Sequence, residues 1–316
     1  TWTQLGGDID GEASGDNSGT SVSLSSDGNI VAIGTRIHSV TSGQVRVWQR
    51  DTNSALAGSI VASKFNKINL IHLEAGLRSF DKNMPEEINR RIIDHCSDLL
   101  FCPTEISKNY LIKEGINKKK IFNVGNTIVD AIFSKIVQEK IKKKNYKKRN
   151  ILLTIHREEN TRNIYNLGKI LKSIYKISNK FKFEVNFPAH PKTRKLLKLI
   201  KYDRKILKVI KPLNYFDFLG LLKSSVLIIS DSGGVQEEAC ILKTPLITVR
   251  NSTERPETIQ IGCNILSKID DDRLFKDAQT LFNRKIKWRN PYGDGKSSVK
   301  ILKILKNLKK KNVKIY

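Results

Sequence analysis

From about residue 55 onward, short apolar runs of strand length alternate with amphipathic stretches of helical period, and this alternation limits the fold more than any other feature. The runs are INLIH (68–72), DLLFC (98–102), KIFNV (120–124), NILLTI (150–155), KFEVNF (182–187), ILKVI (206–210), SVLIIS (225–230) and PLITV (245–249). Strands separated by helices cannot pair as hairpins, so the pattern predicts an α/β fold with parallel sheets and helices on both faces. A lysine-rich stretch around 135–149 separates two such units. Near the end, Val299, Ile301, Leu302, Leu305 and Leu308 recur at helical spacing and predict a docked final helix. The chain then divides into 1–54, 55–145, 146–290 and a C-terminal helix over 291–316.

The first segment has a different texture. SVSLSSDGNIVAIGTR reads as two alternating strands joined at Asp27-Gly28-Asn29, and SGQVRVWQR as a third strand. It resembles one repeat of the β-propeller-like arrays of large surface proteins, and a single blade cannot bury its faces without neighbours. Asp8, Asp10, Glu12 and Asp16 do not follow the spacing of an EF-hand loop and read as turn formers.

The net charge of +26 raises the question of nucleic acid. Its distribution answers against it. Residues 1–60 carry −3 and residues 61–316 carry +29, much of it lysine spread along helices. The densest runs, 140–150 and 305–316, lack the interleaved aromatics on which bases stack. The expectation is therefore no nucleic-acid partner. No apolar run approaches 18 residues, so no transmembrane helix is expected, and TWTQLGGDIDGEASG does not read as a signal peptide. Cys96, Cys102, Cys240 and Cys263 show no CxxC spacing and read as reduced and buried, without zinc.

In open α/β sheets ligands sit beyond the carboxyl ends of strands, and polar clusters occur at those places. In VLIISDSGGVQEEAC a strand ends at Asp231, and Ser232-Gly233-Gly234 turns into a helix. Bare backbone N–H groups at such a turn can cradle phosphate, with Glu238 on the same helix facing sugar hydroxyls. An ordinary glycine turn fits the same residues. His156 follows a strand directly and is trailed by Arg157, Glu158, Glu159 and Asn160; Arg250 and Arg255 flank another strand-end loop and offer bidentate donors. Finally, HLEAGLRSFDKNMPEEINRR (72–91) sets Glu74 two residues after a strand and Glu86 at a helix start. Two carboxylates on opposing loops suit general acid–base work, while Glu86 and Glu87 after Pro85 also suit a helix N-terminus.

Together HLEAGLRS, MPEEINRR, CPTE, VGNTIVDA, TIHREEN, PAHP, SDSGGVQEEA, TERPE and NPYGDG, in that order from about residue 55 to 316, resemble the non-hydrolysing UDP-N-acetylglucosamine 2-epimerases. The resemblance implies a glycosyltransferase-B-like architecture: two Rossmann-like domains with the site between them, the first truncated here and preceded by a short all-β segment. A C-terminal helix would pack back on the first domain. It implies an isomerase that inverts C2 of UDP-GlcNAc to give UDP-ManNAc, with UDP-GlcNAc and UDP as its small-molecule partners. No cofactor or metal is expected, nor a membrane partner; a homodimer is the assembly the family suggests, in the cytoplasm. By motif, Glu74 and Glu86 match the acidic residues implicated in catalysis, and His156 the histidine at the nucleotide diphosphate. Ser232, Gly233, Gly234 and Glu238 match diphosphate and ribose contacts, Arg255 the phosphate-binding arginine, and Phe218 a residue beside the uracil.

The chain also departs from that pattern. The family's first domain opens with a strand and a Gly-Thr-Arg-Pro-Glu-like loop, and a later Gly-Asp-Thr-like loop supplies a further catalytic aspartate. VAIGTR (31–36) is followed by HSV and reads as coincidence. With the β-repeat in place of the enzyme's first third, the expectation is weak UDP binding and poor turnover. Two other readings stay open: a hydrolysing epimerase that releases free ManNAc and UDP, and a non-catalytic fusion or surface-binding module.

Overall fold

The computed structural model describes residues 21–24, 31–34, 53–63, 69–142, 150–161, 164–200, 202–284 and 287–310. Strands β1 (Ser21–Leu24) and β2 (Val31–Gly34) form an antiparallel pair with Ser21 opposite Gly34, as the hairpin reading expects. The third strand read in SGQVRVWQR and the acidic lead before residue 20 lie outside the described residues.

Eight predicted strands form. β3 (Ile71–Leu73), β4 (Leu99–Cys102) and β5 (Ile121–Asn123) make a three-stranded parallel sheet. β6 (Asn150–Thr154), β7 (Glu184–Pro188), β8 (Leu207–Ile210), β9 (Leu227–Ser230) and β10 (Leu246–Val249) join a six-stranded parallel sheet whose sixth member, β11 (Asn264–Ser267), was not predicted. Its order is β11-β10-β9-β6-β7-β8. Counted from β6, that is the doubly wound arrangement in which the winding direction reverses between the first and fourth strands, here β6 and β9. A crevice opens at the carboxyl ends of strands at such a reversal.

Burial explains why these runs are strands. Along β6 the side chains alternate between two cores: Ile151 and Leu153 pack with Leu167, Ile174, Val185 and Ile229, and Leu152 packs with Leu222, Ile228 and Ala239. A strand covered on both faces reads as a near-continuous apolar run. In the smaller sheet Leu100 and Cys102 face one core, while Leu99 and Phe101 face Ile301, Ile304, Leu305 and Leu308 of the Ser297–Lys310 helix. The final helix thus returns to the first sheet. Asp130 holds its start by accepting from the Ser297 and Ser298 N–H groups at 3.0 and 2.9 Å. Val299 and Leu302, which the spacing assigned to the docked face, are exposed instead.

A further core joins the two sheets. Val129, Ile132, Val137 and Ile141 pack with Leu219, Cys240, Ile241, Cys263 and the fully buried Tyr292. All four cysteines are free; Cys96 is only half-buried, which corrects the reading that all four are buried. Among the described residues no helix is long and apolar enough to cross a membrane, and no cluster of His, Cys, Asp and Glu could hold a metal ion.

Candidate active site between the two sheets

The loop after β3 is built around charge that never meets water. Asp94, fully buried on the Pro85–Cys96 helix, accepts from His72 Nδ1 at 2.7 Å, from Arg78 at 2.7 Å and from the Gly76 N–H at 3.3 Å. Arg78, equally buried, also reaches Glu114 at 2.6 Å. Burial pushes the Asp94 carboxyl up, but His72 and Arg78 hold it below its ordinary value. Glu87 accepts the Ser79 N–H at 2.8 Å and pairs with Arg90 and Arg91, each at 3.3 Å. The arginines of 72–91 and Glu87 are therefore scaffold. Buried charges survive because each is paired.

Glu74 is treated differently. Its backbone is left-handed at φ 62°, a conformation that costs a residue with a side chain about 1–3 kcal/mol. The turn is locked by Ala75 N–H donating to the Phe101 carbonyl at 3.1 Å, and by Gly76, whose missing side chain leaves room for the Ser107 carbonyl. A Cβ there would lie 2.3 Å from that oxygen. The turn leaves the Glu74 carboxylate only partly buried, 3.9 Å from Arg255 Nη2 of the other sheet.

On that other side the reversal point carries the polar groups. Asp231, at the end of β9, is wholly buried and accepts from His156 Nδ1 at 3.0 Å, Arg157 N–H at 2.9 Å and Asn160 Nδ2 at 2.9 Å. Burial pulls its proton affinity up; the hydrogen bond and charge of His156 bring it below the usual carboxylate range. Asp231 thereby fixes the ring of His156, which remains half exposed beyond β6.

Ser232 caps the Gly233–Leu242 helix without spending its own hydroxyl on the cap. The N–H groups of that first turn lack intrahelical partners by geometry. Gly233 is required by packing, since a Cβ there would stand 2.4 Å from Glu254 Oε1, whereas the same position on Gly234 meets nothing within 4 Å. Glu254 pairs with Arg250 and Arg255, each at 3.0 Å, and their charges hold it far below its ordinary value against the upward pull of burial. Arg255, 2% exposed, donates through Nε to Glu237 at 3.0 Å as well. Its proton affinity is raised although burial opposes this, because carboxylates surround it.

The sheets are tied directly across this region. Asn126 Nδ2 donates to Glu237 at 3.0 Å, the Thr104 hydroxyl bonds to Glu257, and Met84 Sδ lies 4.0 Å from both Arg90 and Arg250. Burial raises the Glu257 carboxyl above its ordinary value.

Of the residues singled out from sequence, Glu74, Arg255, Gly233, Ser232 and His156 gather along this seam. Phe218 lies on the neighbouring Tyr215–Ser224 helix, packed against the core that includes Val235. Glu238 is nearly buried and meets the Tyr215 hydroxyl. Glu86, half-buried in the first helical turn, is joined to none of the others by a hydrogen bond or ion pair among the described residues. Sequence reasoning did not assign Glu254, Glu237, Glu257, Thr104 or Tyr215. The first four sit inside quoted motifs, and an arginine needing several carboxylates would have pointed to Glu254 and Glu237.

A doubly wound sheet carries a glycine turn at its reversal point and is faced by a strained carboxylate loop of the other sheet, an α/β arrangement chemically suited to an anionic small molecule. The UDP-N-acetylglucosamine 2-epimerase family model matches residues 22–306, and the chain belongs to that family. The UDP-N-acetylglucosamine 2-epimerase of Methanocaldococcus jannaschii is 49% identical over 278 residues, covering 83% of this chain and 75% of the relative. A crystal structure of that organism's UDP-GlcNAc 2-epimerase in complex with UDP-GlcNAc and UDP superposes with a TM-score of 0.73 at 47% identity, covering 82% of this chain and 74% of that one. The Neisseria meningitidis enzyme bound to UDP-GlcNAc gives 0.71 at 32%, over 82% and 75%. The glycosyltransferase-B-like α/β architecture is the one these structures share. The family match begins at residue 22 and so reaches into the segment that sequence reading set apart. The readings of 1–54 as a propeller-like repeat and of a missing first third find no support in these comparisons.

Proposed function

We propose that the chain inverts C2 of UDP-GlcNAc to give UDP-ManNAc. A base takes the C2 proton as the C1–O bond breaks, its electron pair leaving with UDP, and a C1=C2 double bond forms as 2-acetamidoglucal. An acid then delivers a proton to the other face of C2 while a diphosphate oxygen of the retained UDP re-adds at C1. Glu74 and Glu86 are the acid–base pair. Ser232 and the N–H groups at Gly233 and Gly234 receive the diphosphate, with His156 beside it. Glu238 meets the ribose, and Phe218 flanks the uracil. Arg255 supplies positive charge beneath the glycine turn, where oriented donors and charge retain the leaving group.

The observation that carries this reading is the Glu74–Arg255 approach at 3.9 Å. It brings a carboxylate of one sheet to the buried arginine beside the glycine turn of the other, which supports the reading. The relatives' names supply the substrate. Incubation with UDP-GlcNAc followed by NMR tests it: UDP-ManNAc is the expected product, and free ManNAc with UDP would contradict it.

A further inference from the structure

We propose that Asn126 is a positioning residue: by donating to Glu237 across the seam it fixes the plane of the Arg255 guanidinium, and with it the spacing between Glu74 and the glycine turn. The part that a diphosphate plays in this rests on the UDP reading above. The loops that follow β3, β4 and β5 each send one side chain to the other sheet: Glu74 to Arg255, Thr104 to Glu257 and Asn126 to Glu237. Arg255 is the hub of these contacts. Its Nε donates to Glu237 Oε1 at 3.0 Å, its Nη1 pairs with Glu254 Oε1 at 3.0 Å, and its Nη2 faces Glu74 Oε2 at 3.9 Å. A guanidinium is planar, so the two short contacts set the direction of the third nitrogen. The same Nη1 would lie 3.8 Å from a Cβ on Gly233, which places the group beside the turn read as the diphosphate site.

Glu237 Oε1 is the shared atom. It accepts from Arg255 Nε and from Asn126 Nδ2, each at 3.0 Å, so the asparagine decides where the acceptor of the arginine stands. Asn126 is itself held on every side. It is 1% exposed, its N–H donates to the Tyr292 carbonyl at 2.8 Å, and its Oδ1 caps the Thr127–Phe133 helix by accepting the Ile128 N–H at 3.0 Å. The cap needs an oxygen and Glu237 needs a donor, and one amide orientation supplies both. Aspartate caps a helix as well as asparagine does. It would, however, turn a second carboxylate toward Glu237, so the amide is explained by the other sheet and not by the helix.

The test is Asn126→Asp in the full chain, beside the swap Asn126→Asp/Glu237→Gln. Both keep the cap, so the fold should hold. Loss of the cross-seam donor should weaken UDP about 5- to 10-fold by calorimetry and lower kcat on UDP-GlcNAc about tenfold. In the swap, the glutamine accepts from Arg255 through Oε1 and donates to the new carboxylate through Nε2, and UDP affinity should return to within about 3-fold of the unsubstituted chain. The Arg255 Nε–H resonance in proton–nitrogen NMR, assigned by its loss in Arg255→Lys, should move in Asn126→Asp and return in the swap, with UDP present or absent. An unmoved resonance, or equal losses in the single variant and the swap, would overturn the role of Asn126. Failure of the unsubstituted chain to bind UDP would instead overturn the nucleotide reading, and the resonance would still decide whether Asn126 positions Arg255.

Discussion

The loop after β3 and the turn after β9 both set arginine against carboxylate, and they divide the work in opposite ways. In the β3 loop Arg78 and Asp94 are sealed off and, with the partly exposed Glu114, hold the loop, while Glu74, perched on a left-handed backbone, reaches across to Arg255. At the β9 turn the buried ion pairs lie directly under the anion-suited surface, with Glu254 filling the space that Gly233 vacates and carrying Arg250 and Arg255. Charge in a sequence is ambiguous between scaffold and chemistry. Burial and pairing separate the two.

The largest expected effect breaks the scaffold side. Arg78→Met strands Asp94 and should cost about 3–5 kcal/mol in urea unfolding, whereas Arg91→Met, at a pair that is 44% exposed on the arginine side, should cost under about 1 kcal/mol. Next comes the reactive side. Glu74→Gln should lower turnover about 10²- to 10⁴-fold with little change in unfolding free energy. Glu74→Gly should also lose turnover yet stabilise the fold by about 1 kcal/mol, because glycine accepts φ 62° without strain.

The two glycines sharpen the comparison further. Gly233→Ala drives a Cβ into Glu254 and should destabilise by about 1–3 kcal/mol, while Gly234→Ala should leave stability intact. If the open space beside Gly234 receives a phosphate, Gly234→Ala should still weaken UDP about tenfold, as read by calorimetry. The smallest effect concerns acid. Asp231 has a folded proton affinity below its ordinary value, so its stabilising contribution is present above about pH 4 and is lost as pH falls through the folded value. The stability gap between the unsubstituted chain and Asp231→Asn should narrow on acidification below about pH 4.

Much of the fold was legible because strands buried on both faces are continuously apolar, as in β6 and β9. β11 was missed for the opposite reason. It is an edge strand whose Ile265 and Leu266 are only partly buried, and its buried Asn264 serves Thr248 and Gln236 by hydrogen bonds. The site was legible where backbone demands a residue type, as at Gly233, and less so where a partner is distant in sequence. Thr104 and Glu257 are 153 residues apart, and only the packing of one sheet against the other brings them together. Glu237 and Glu238 are adjacent, yet a helix turns about 100° per residue. One faces Arg255 and the other Tyr215.

The most direct measurement is proton NMR of UDP-GlcNAc incubated with the chain in D2O. Removal of the C2 proton and delivery of another from solvent to the opposite face should give UDP-ManNAc carrying deuterium at C2, and Glu74→Gln should suppress both. Product that keeps its original C2 proton, or a Glu74→Gln variant with undiminished exchange, would contradict the assignment of the β3-loop carboxylate to the chemistry.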